Sequence, residues 1–290
     1  MLQSIFRILV NKFIFKDSTY FLGMVLVRLS RKFRKVSFFK STKNSLLVKK
    51  CLGNLTLELK PKTYMGGSLY WTGFHHISEM IYLRNILQND MTFIDVGANQ
   101  GEFSLYASSR LSKGQVYSFE PVSAQFNMLS KNIELNNIQN IKAFNFGLSD
   151  AEGELPVFTS SSSTDLGNNE GLSSLFSSND RDVFEEKVKL EVFDDLFSDK
   201  IDRIDFIKID VEGAELFVLK GMKETLKKFT PTILIELSED NFKNAGYTTK
   251  DVLDFLNIYN YKPHKLFRGK IQEVQSIDME WGNYVFISKK

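Results

Sequence analysis

From residue 92 onward, short apolar runs alternate with segments whose apolar residues recur every three or four positions. The runs predict buried strands at 92–96, 115–119, 141–146, 188–192, 204–209 and 232–235. The spaced segments predict helices at 102–111, 124–135, 214–226 and 250–259. Strand–helix–strand units of this length predict a parallel sheet with right-handed crossovers. The last two predicted strands, 262–267 and 284–287, are joined by Arg268-Gly269 and a loop without helical spacing, so the sheet should end antiparallel. Ahead of this block, 55–60 alternates with period two and Pro61 stops it, while 77–87 has helical spacing. Met65-Gly66-Gly67-Ser68 reads as a turn. The stretch 151–190 breaks the pattern with a serine-rich polar segment, 159–165, and a second one around 167–179, an insertion or a lid.

The first forty residues are apolar and basic together. Their longest uncharged stretch, 18–27, has ten residues, too short for the roughly 20 apolar residues a membrane-spanning helix needs. Residues 1–50 hold twelve Lys or Arg against one acid, Asp17, whereas the remaining 240 residues carry 25 basic and 34 acidic side chains. A basic, apolar head on an acidic body has two readings. It is a helix lying on an anionic membrane, or a cap whose apolar face packs on the domain. The chain divides on this reading into a helical extension (1–45), a lead-in (46–91) and a catalytic domain (92–290). The single cysteine, Cys51, excludes an intrachain disulfide and a CxxC zinc site and fits a cytoplasmic compartment, with membrane association at the inner face left open.

Candidate chemistry begins at Phe93-Ile94-Asp95-Val96-Gly97-Ala98-Asn99-Gln100-Gly101. A buried strand running into a glycine turn and a helix is the entry unit of a nucleotide-binding sheet. In open parallel sheets, ligands bind beyond the carboxyl ends of the strands. Four predicted strand ends here carry acids: Asp95, Glu120, Asp210 with Glu212, and Glu236. Glu120 follows Gly97 by 23 residues, where an acid accepts hydrogen bonds from a ribose diol. The dinucleotide fingerprint is absent, because Asn99 stands where its second glycine belongs, and an acidic crevice suits a pyrophosphate poorly. S-adenosylmethionine has a ribose, no phosphate and a cationic sulfonium, and fits better. Asp210, Glu212 and Glu236 are the candidate bases for a hydroxyl acceptor; His75-His76 joins them if its loop folds over the crevice. The three acids have no clear ligand spacing, so no metal is expected.

Four motifs occur in order: 93–101; Phe119-Glu120-Pro121; Gly147-Leu148-Ser149-Asp150; and Ile207-Lys208-Ile209-Asp210-Val211-Glu212-Gly213-Ala214-Glu215. Together they resemble the FkbM family of S-adenosylmethionine-dependent methyltransferases, over about 92–240 and more loosely to 290, with Gly171-Leu172-Ser173-Ser174-Leu175 also similar to a family segment. The resemblance implies a Rossmann-like class I α/β fold: seven mostly parallel strands, helices on both faces and an antiparallel last strand. It implies O-methylation of a sugar, glycan or related hydroxyl. It places Asp95, Gly97, Asn99 and Gly101 at the methionine end of the cofactor, Glu120 at the ribose, Leu148 and Ser149 beside the adenine, and Asp210 and Glu212 facing the methyl and the acceptor. A nucleic-acid methyltransferase is the competing enzyme, disfavoured by the acidic body. A non-catalytic cofactor-binding scaffold is the other alternative.

Overall fold

The computed structural model describes residues 2–37, 45–159, 163–164, 167–168, 173–177, 181, 183–277 and 281–289. Two helices, α1 (Leu2–Phe13) and α2 (Tyr20–Ser37), form a hairpin at the amino end. A β-hairpin follows, β1 (Leu46–Cys51) against β2 (Leu55–Leu59), then α3 (Tyr64–Thr72) and α4 (Ile77–Ile86). The alternating block supplies β3 (Thr92–Val96), α5 (Glu102–Arg110), β4 (Gln115–Phe119), α6 (Ser123–Leu135) and β5 (Ile141–Phe144). Next come β6 (Gly147–Ser149), β7 (Gly153–Thr159), the two-residue ladder of β8 (Ser163–Thr164) and β9 (Gly167–Asn168), and β10 (Val183–Val192). The chain closes with α7 (Phe193–Phe197), β11 (Phe206–Ile209), α8 (Glu215–Lys220), α9 (Lys223–Phe229), β12 (Thr232–Ser238), α10 (Glu239–Asn244), α11 (Thr249–Ile258), β13 (Tyr261–Phe267), β14 (Lys270–Glu273) and β15 (Trp281–Ser288).

The main sheet has the order β14-β13-β15-β12-β11-β3-β4-β5. Strands β5, β4, β3, β11 and β12 run parallel; β15 is antiparallel to β12 and to β13. This is the class I methyltransferase arrangement with one added edge strand, β14, which Arg268-Gly269 folds back onto β13. The order reverses between β3 and β11, so a crevice opens beyond their carboxyl ends.

Period-two alternation divides each central strand between two cores. Phe93, Val116 and Phe206 pack with α1, α3, α4 and α5 residues; Ile94, Tyr117, Ile207 and Ile209 face α8, α9 and α11. The first core also contains Val10, Ile14, Val27, Val48 and Leu57, so the amino-terminal helices and the lead-in share it with the sheet. The packed-cap expectation therefore describes the inner face of α1–α2. Arg7 reinforces it: buried, it donates through Nε to Lys49 O at 3.1 Å and also to Tyr70 O.

Some elements differ from the sequence reading. Gly66 and Gly67 lie inside α3, not in a turn. Thr63 caps that helix by accepting from Gly66 N at 3.1 Å, and a Cβ on Gly66 would lie 2.2 Å from Lys60 O. Residues 214–226 form two short helices that meet at Gly221-Met222, where a Cβ on Gly221 would lie 2.1 Å from Ser149 O. Strand 141–146 stops at Phe144. Residues 147–149 pair instead with β10, in a three-stranded sheet of order β6-β10-β7. The serine-rich stretches at 159–165 and 167–179 lie largely outside the described residues.

Candidate active site

Register builds the centre of the crevice. Ser118, Asp95 and Lys208 are partners across β4, β3 and β11, so their side chains share one face of the sheet. Asp95 is fully buried. It accepts from Ser104 Oγ of α5, and Lys208 Nζ stands 3.5 Å from its Oδ1. Lys208 donates to Gly97 O at 2.7 Å and approaches Asp210 Oδ2 at 3.6 Å. Burial pulls the Lys208 pKa down, but Asp210, Asp95 and Glu120 outweigh it, and the ammonium is held above its ordinary value. It also lies 5.1 Å from the Phe103 ring centre. A buried cation thus ties two acid-bearing strand ends together.

The first turn is fixed from both sides. Gly97 N and Ala98 N donate to Phe119 O, each at 3.0 Å. Gly97 has φ +76°, and a Cβ there would lie 1.9 Å from Asp210 O. Only glycine lets the turns after β3 and β11 approach so closely. Asn99, at φ +50°, presents its amide to Glu120 Oε2 at 2.7 Å, while Val122 N donates to Oε1 at 2.9 Å. Burial pushes Glu120 up to about 7 against these two bonds.

The second turn, 210–215, has its own staple. Glu215 is buried and accepts from Val211 N at 3.0 Å and Gly213 N at 2.9 Å, and Tyr247 donates its hydroxyl to Gly213 O at 2.8 Å. The residue before α8 that takes the N-cap position is Ala214, so Asp210 is not a helix cap. Glu212 sits at φ +55°, a left-handed conformation that costs a residue with a Cβ about 1 kcal/mol. It is held there by Arg181 Nη2 at 2.7 Å and Asn241 Nδ2 at 3.0 Å, with Ser174 Oγ on its carbonyl at 2.7 Å. Glu236 accepts from Trp281 Nε1 at 2.9 Å; burial first, then Asp210, Glu212 and Glu215, raise it well above the ordinary carboxylate range. One oxygen from each of Asp210, Glu212 and Glu236 lies within 4.8 Å of the others.

The loop with His75-His76 does fold over the crevice. His76 Nδ1 meets Glu102 Oε2 at 2.8 Å, and Glu102 Oε1 accepts from His75 N at 2.6 Å and His76 N at 3.1 Å. Burial of His76 is outweighed by Glu102, which lifts the imidazole to about 9.

Lys208, Glu120, Asp210, Glu212, Glu236, Arg181, His76 and Glu102 border one cavity of about 980 Å³. Of the residues expected at the site, Gly97, Asn99, Glu120, Leu148, Asp210, Glu212 and Glu236 line it. Asp95, Gly101 and Ser149 do not. Asp95 lies beneath the floor. Gly101, at φ +96°, begins α5, where a Cβ would lie 2.5 Å from Leu129 Cδ1. Ser149 O packs on Gly221. Lys208, Arg181, Glu102, Gln125 and Trp281 escaped the sequence reading. Lys208 did leave a signal, as a lone charge at the same place in Phe206-Ile207-Lys208-Ile209 as Asp95 in Phe93-Ile94-Asp95-Val96. Gln125 lines the cavity close to Glu120, is more than nine-tenths buried, and its Oε1 has no hydrogen-bond partner. A ribose- and purine-bearing ligand supplies a donor to the unpartnered Gln125 Oε1 and further donors to the Glu120 carboxylate, so the residues present fit S-adenosylmethionine.

A family model described as the methyltransferase FkbM domain matches residues 95–263. Methyltransferase sdnD of Sordaria araneosa is 30% identical over 183 residues, covering 53% of this chain and 68% of its own. The hexuronic acid methyltransferase AglP of Haloferax volcanii is 26% identical over 173 residues, 59% of this chain and 63% of its own. A crystal structure of a methyltransferase FkbM from Methylobacillus flagellatus KT aligns with 72% of this chain and 47% of its own, at 17% identity and a TM-score of 0.47.

Proposed function

The chain belongs to the FkbM family of S-adenosylmethionine-dependent methyltransferases, and on that premise we propose that it methylates a hydroxyl oxygen of a sugar, glycan or related small molecule. The observation that carries this is the composition of part of the cavity lining. Asp210, Glu236, Asp240, Asn241, Asn283 and the half-exposed Trp281 line it together. Carboxylates and amides accept and donate to several hydroxyls at once, and an indole face packs on the apolar side of a sugar ring. The similarity to a hexuronic acid methyltransferase supports the same class.

Bound S-adenosylmethionine supplies an electrophilic methyl group. Glu120 and Gln125 hold the ribose and its neighbourhood, Leu148 packs beside the adenine, and the Gly97–Asn99 turn receives the methionine end. Lys208 positions rather than reacts: it fixes the Gly97 carbonyl and the two acids flanking it. For the acceptor proton, Glu212 is already committed to Arg181, and burial together with Asp210, Glu212 and Glu215 favours the protonated form of Glu236. Asp210 remains as the base, its nearest cation 3.6 Å away. His76, oriented by Glu102 through Nδ1, is the competing base on the facing loop.

Turnover to S-adenosylhomocysteine on a panel of sugars, nucleotide sugars, lipid-linked glycans and RNA tests the reading. Methylation of a hydroxylated sugar is expected; methylation of RNA alone overturns it. The pH–rate profile separates the bases. A carboxylate base keeps activity flat through the alkaline range, whereas His76 gives a rise near pH 9.

A further inference from the structure

The inner face of α1–α2 is fully used. Phe6, Val10, Ile14 and Val27 are buried in the core, and Gly23 lets α2 cross α1, its Cβ position only 3.0 Å from Ile14 N. The outer face is a different surface. On α1, Leu2, Ile5 and Ile8 are exposed, with Lys12 next along the stripe. On α2, Phe21, Leu22 and Leu29 are exposed, interleaved with exposed Arg28 and Lys32. At 100° per residue, Phe21, Val25, Arg28, Leu29 and Lys32 fall on one side of α2, opposite Gly23, Val27 and Ser30. The exposed apolar residues lie outside the buried core and keep 41–77% of their surface exposed.

A second feature adjoins this face. A groove of about 690 Å³ is lined by Tyr20, Lys265, Phe267, Arg268 and Lys270. The Arg268 guanidinium lies 4.9 Å from the Phe267 ring centre and 5.6 Å from that of Tyr20. Tyr20 opens α2, and the next residue, Phe21, is 77% exposed. A basic, aromatic-walled groove next to an apolar and basic helix face offers an anionic group a place beside buried acyl chains. No helix among the described residues is long and apolar enough to cross a membrane.

We propose that the outer face of α1–α2, continued by the Tyr20–Arg268 groove, is a docking surface for an anionic lipid bilayer. Charge selects this occupant over a second copy of the chain. The face presents Lys12, Arg28 and Lys32, so two such faces repel, whereas phosphate-bearing lipids neutralise them. Apolar anchors select it over nucleic acid, which offers no apolar phase for Leu2, Ile5, Ile8, Phe21 and Leu22.

The test is co-sedimentation of the full chain with phosphatidylcholine vesicles, with and without phosphatidylglycerol, read without any turnover. Binding to phosphatidylglycerol vesicles is expected to fall with added salt. It should drop at least ~10-fold in Arg28→Glu/Lys32→Glu and in Ile5→Ser/Ile8→Ser/Phe21→Ser. S-adenosylmethionine affinity by calorimetry should stay unchanged, which certifies the fold. Absence of binding to phosphatidylglycerol vesicles overturns the proposal, as does equal binding to both vesicle types. So does a wild-type dimer that the Ile5→Ser/Ile8→Ser/Phe21→Ser variant turns into a monomer, or tighter binding to duplex RNA or DNA at the same salt.

Discussion

Glu120 shows what burial does to a single carboxylate. Burial pushes it up to about 7 even though both oxygens accept from backbone amides. A ribose diol donates two hydrogen bonds and favours the ionised form, so cofactor binding should expel a proton. S-adenosylmethionine affinity is therefore expected to rise several-fold between about pH 6 and 8, and Glu120→Gln to weaken binding and flatten that rise, as calorimetry would measure. In the cofactor-free chain the sign is opposite for folding. Glu120 and Glu215 both sit near 7 against an ordinary 4.5, so their contribution is fully present below 4.5 and is lost as pH rises through 7, on the order of 3 kcal/mol each. Asp210→Asn should cut turnover at least ~100-fold with the melting temperature nearly unchanged. Arg181→Met leaves Glu212 without its cation and is expected to cost about 2–4 kcal/mol in urea unfolding; adding Glu212→Gln should recover most of it. Arg181 was not legible in the sequence. It stands in a polar segment without periodicity, and only the fold brings it to residue 212, 31 positions on.

At the scale of the element, the turns after β3 and β11 act as one unit because Gly97 admits the Asp210 carbonyl. Gly97→Ala meets both a positive φ and that carbonyl. It should lower stability by about 2–4 kcal/mol and cofactor affinity at least ~10-fold, by thermal melting and calorimetry. The central strands were readable because their apolar runs are buried on both faces and bounded by glycine, proline or acids. What hid from the sequence were places where tertiary approach sets the local rule. Gly66 is helical because α3 must pass close to Lys60, and Gly221 interrupts a helical pattern to clear Ser149. Strand β14 is four residues long with one partly buried side chain, so it has no pattern to read.

For the whole molecule, the acidic crevice and the basic outer face are the two poles of one charge asymmetry, which was visible in composition alone. Their relation was not visible, because it depends on which residues of α2 reach the cavity, and only the fold brings Arg31 there. The order of parallel strands followed from the alternation. That α1–α2 serves the core on one side and remains apolar on the other could only emerge from burial. Reversal of charge at Arg28 and Lys32 should therefore release vesicles while leaving the melting temperature within ~1 °C, since neither side chain packs in the core.

Arg31 lines the cavity and is carried by α2, the helix whose other side presents Phe21 and Leu29. If lipid contact shifts α2, the two binding events are thermodynamically linked, and the linkage is reciprocal. Whatever factor a lipid surface adds to acceptor affinity, the acceptor adds to lipid affinity. On that linkage a bound acceptor is expected to hold the chain at the lipid surface, and a product that fits the cavity less well to release it.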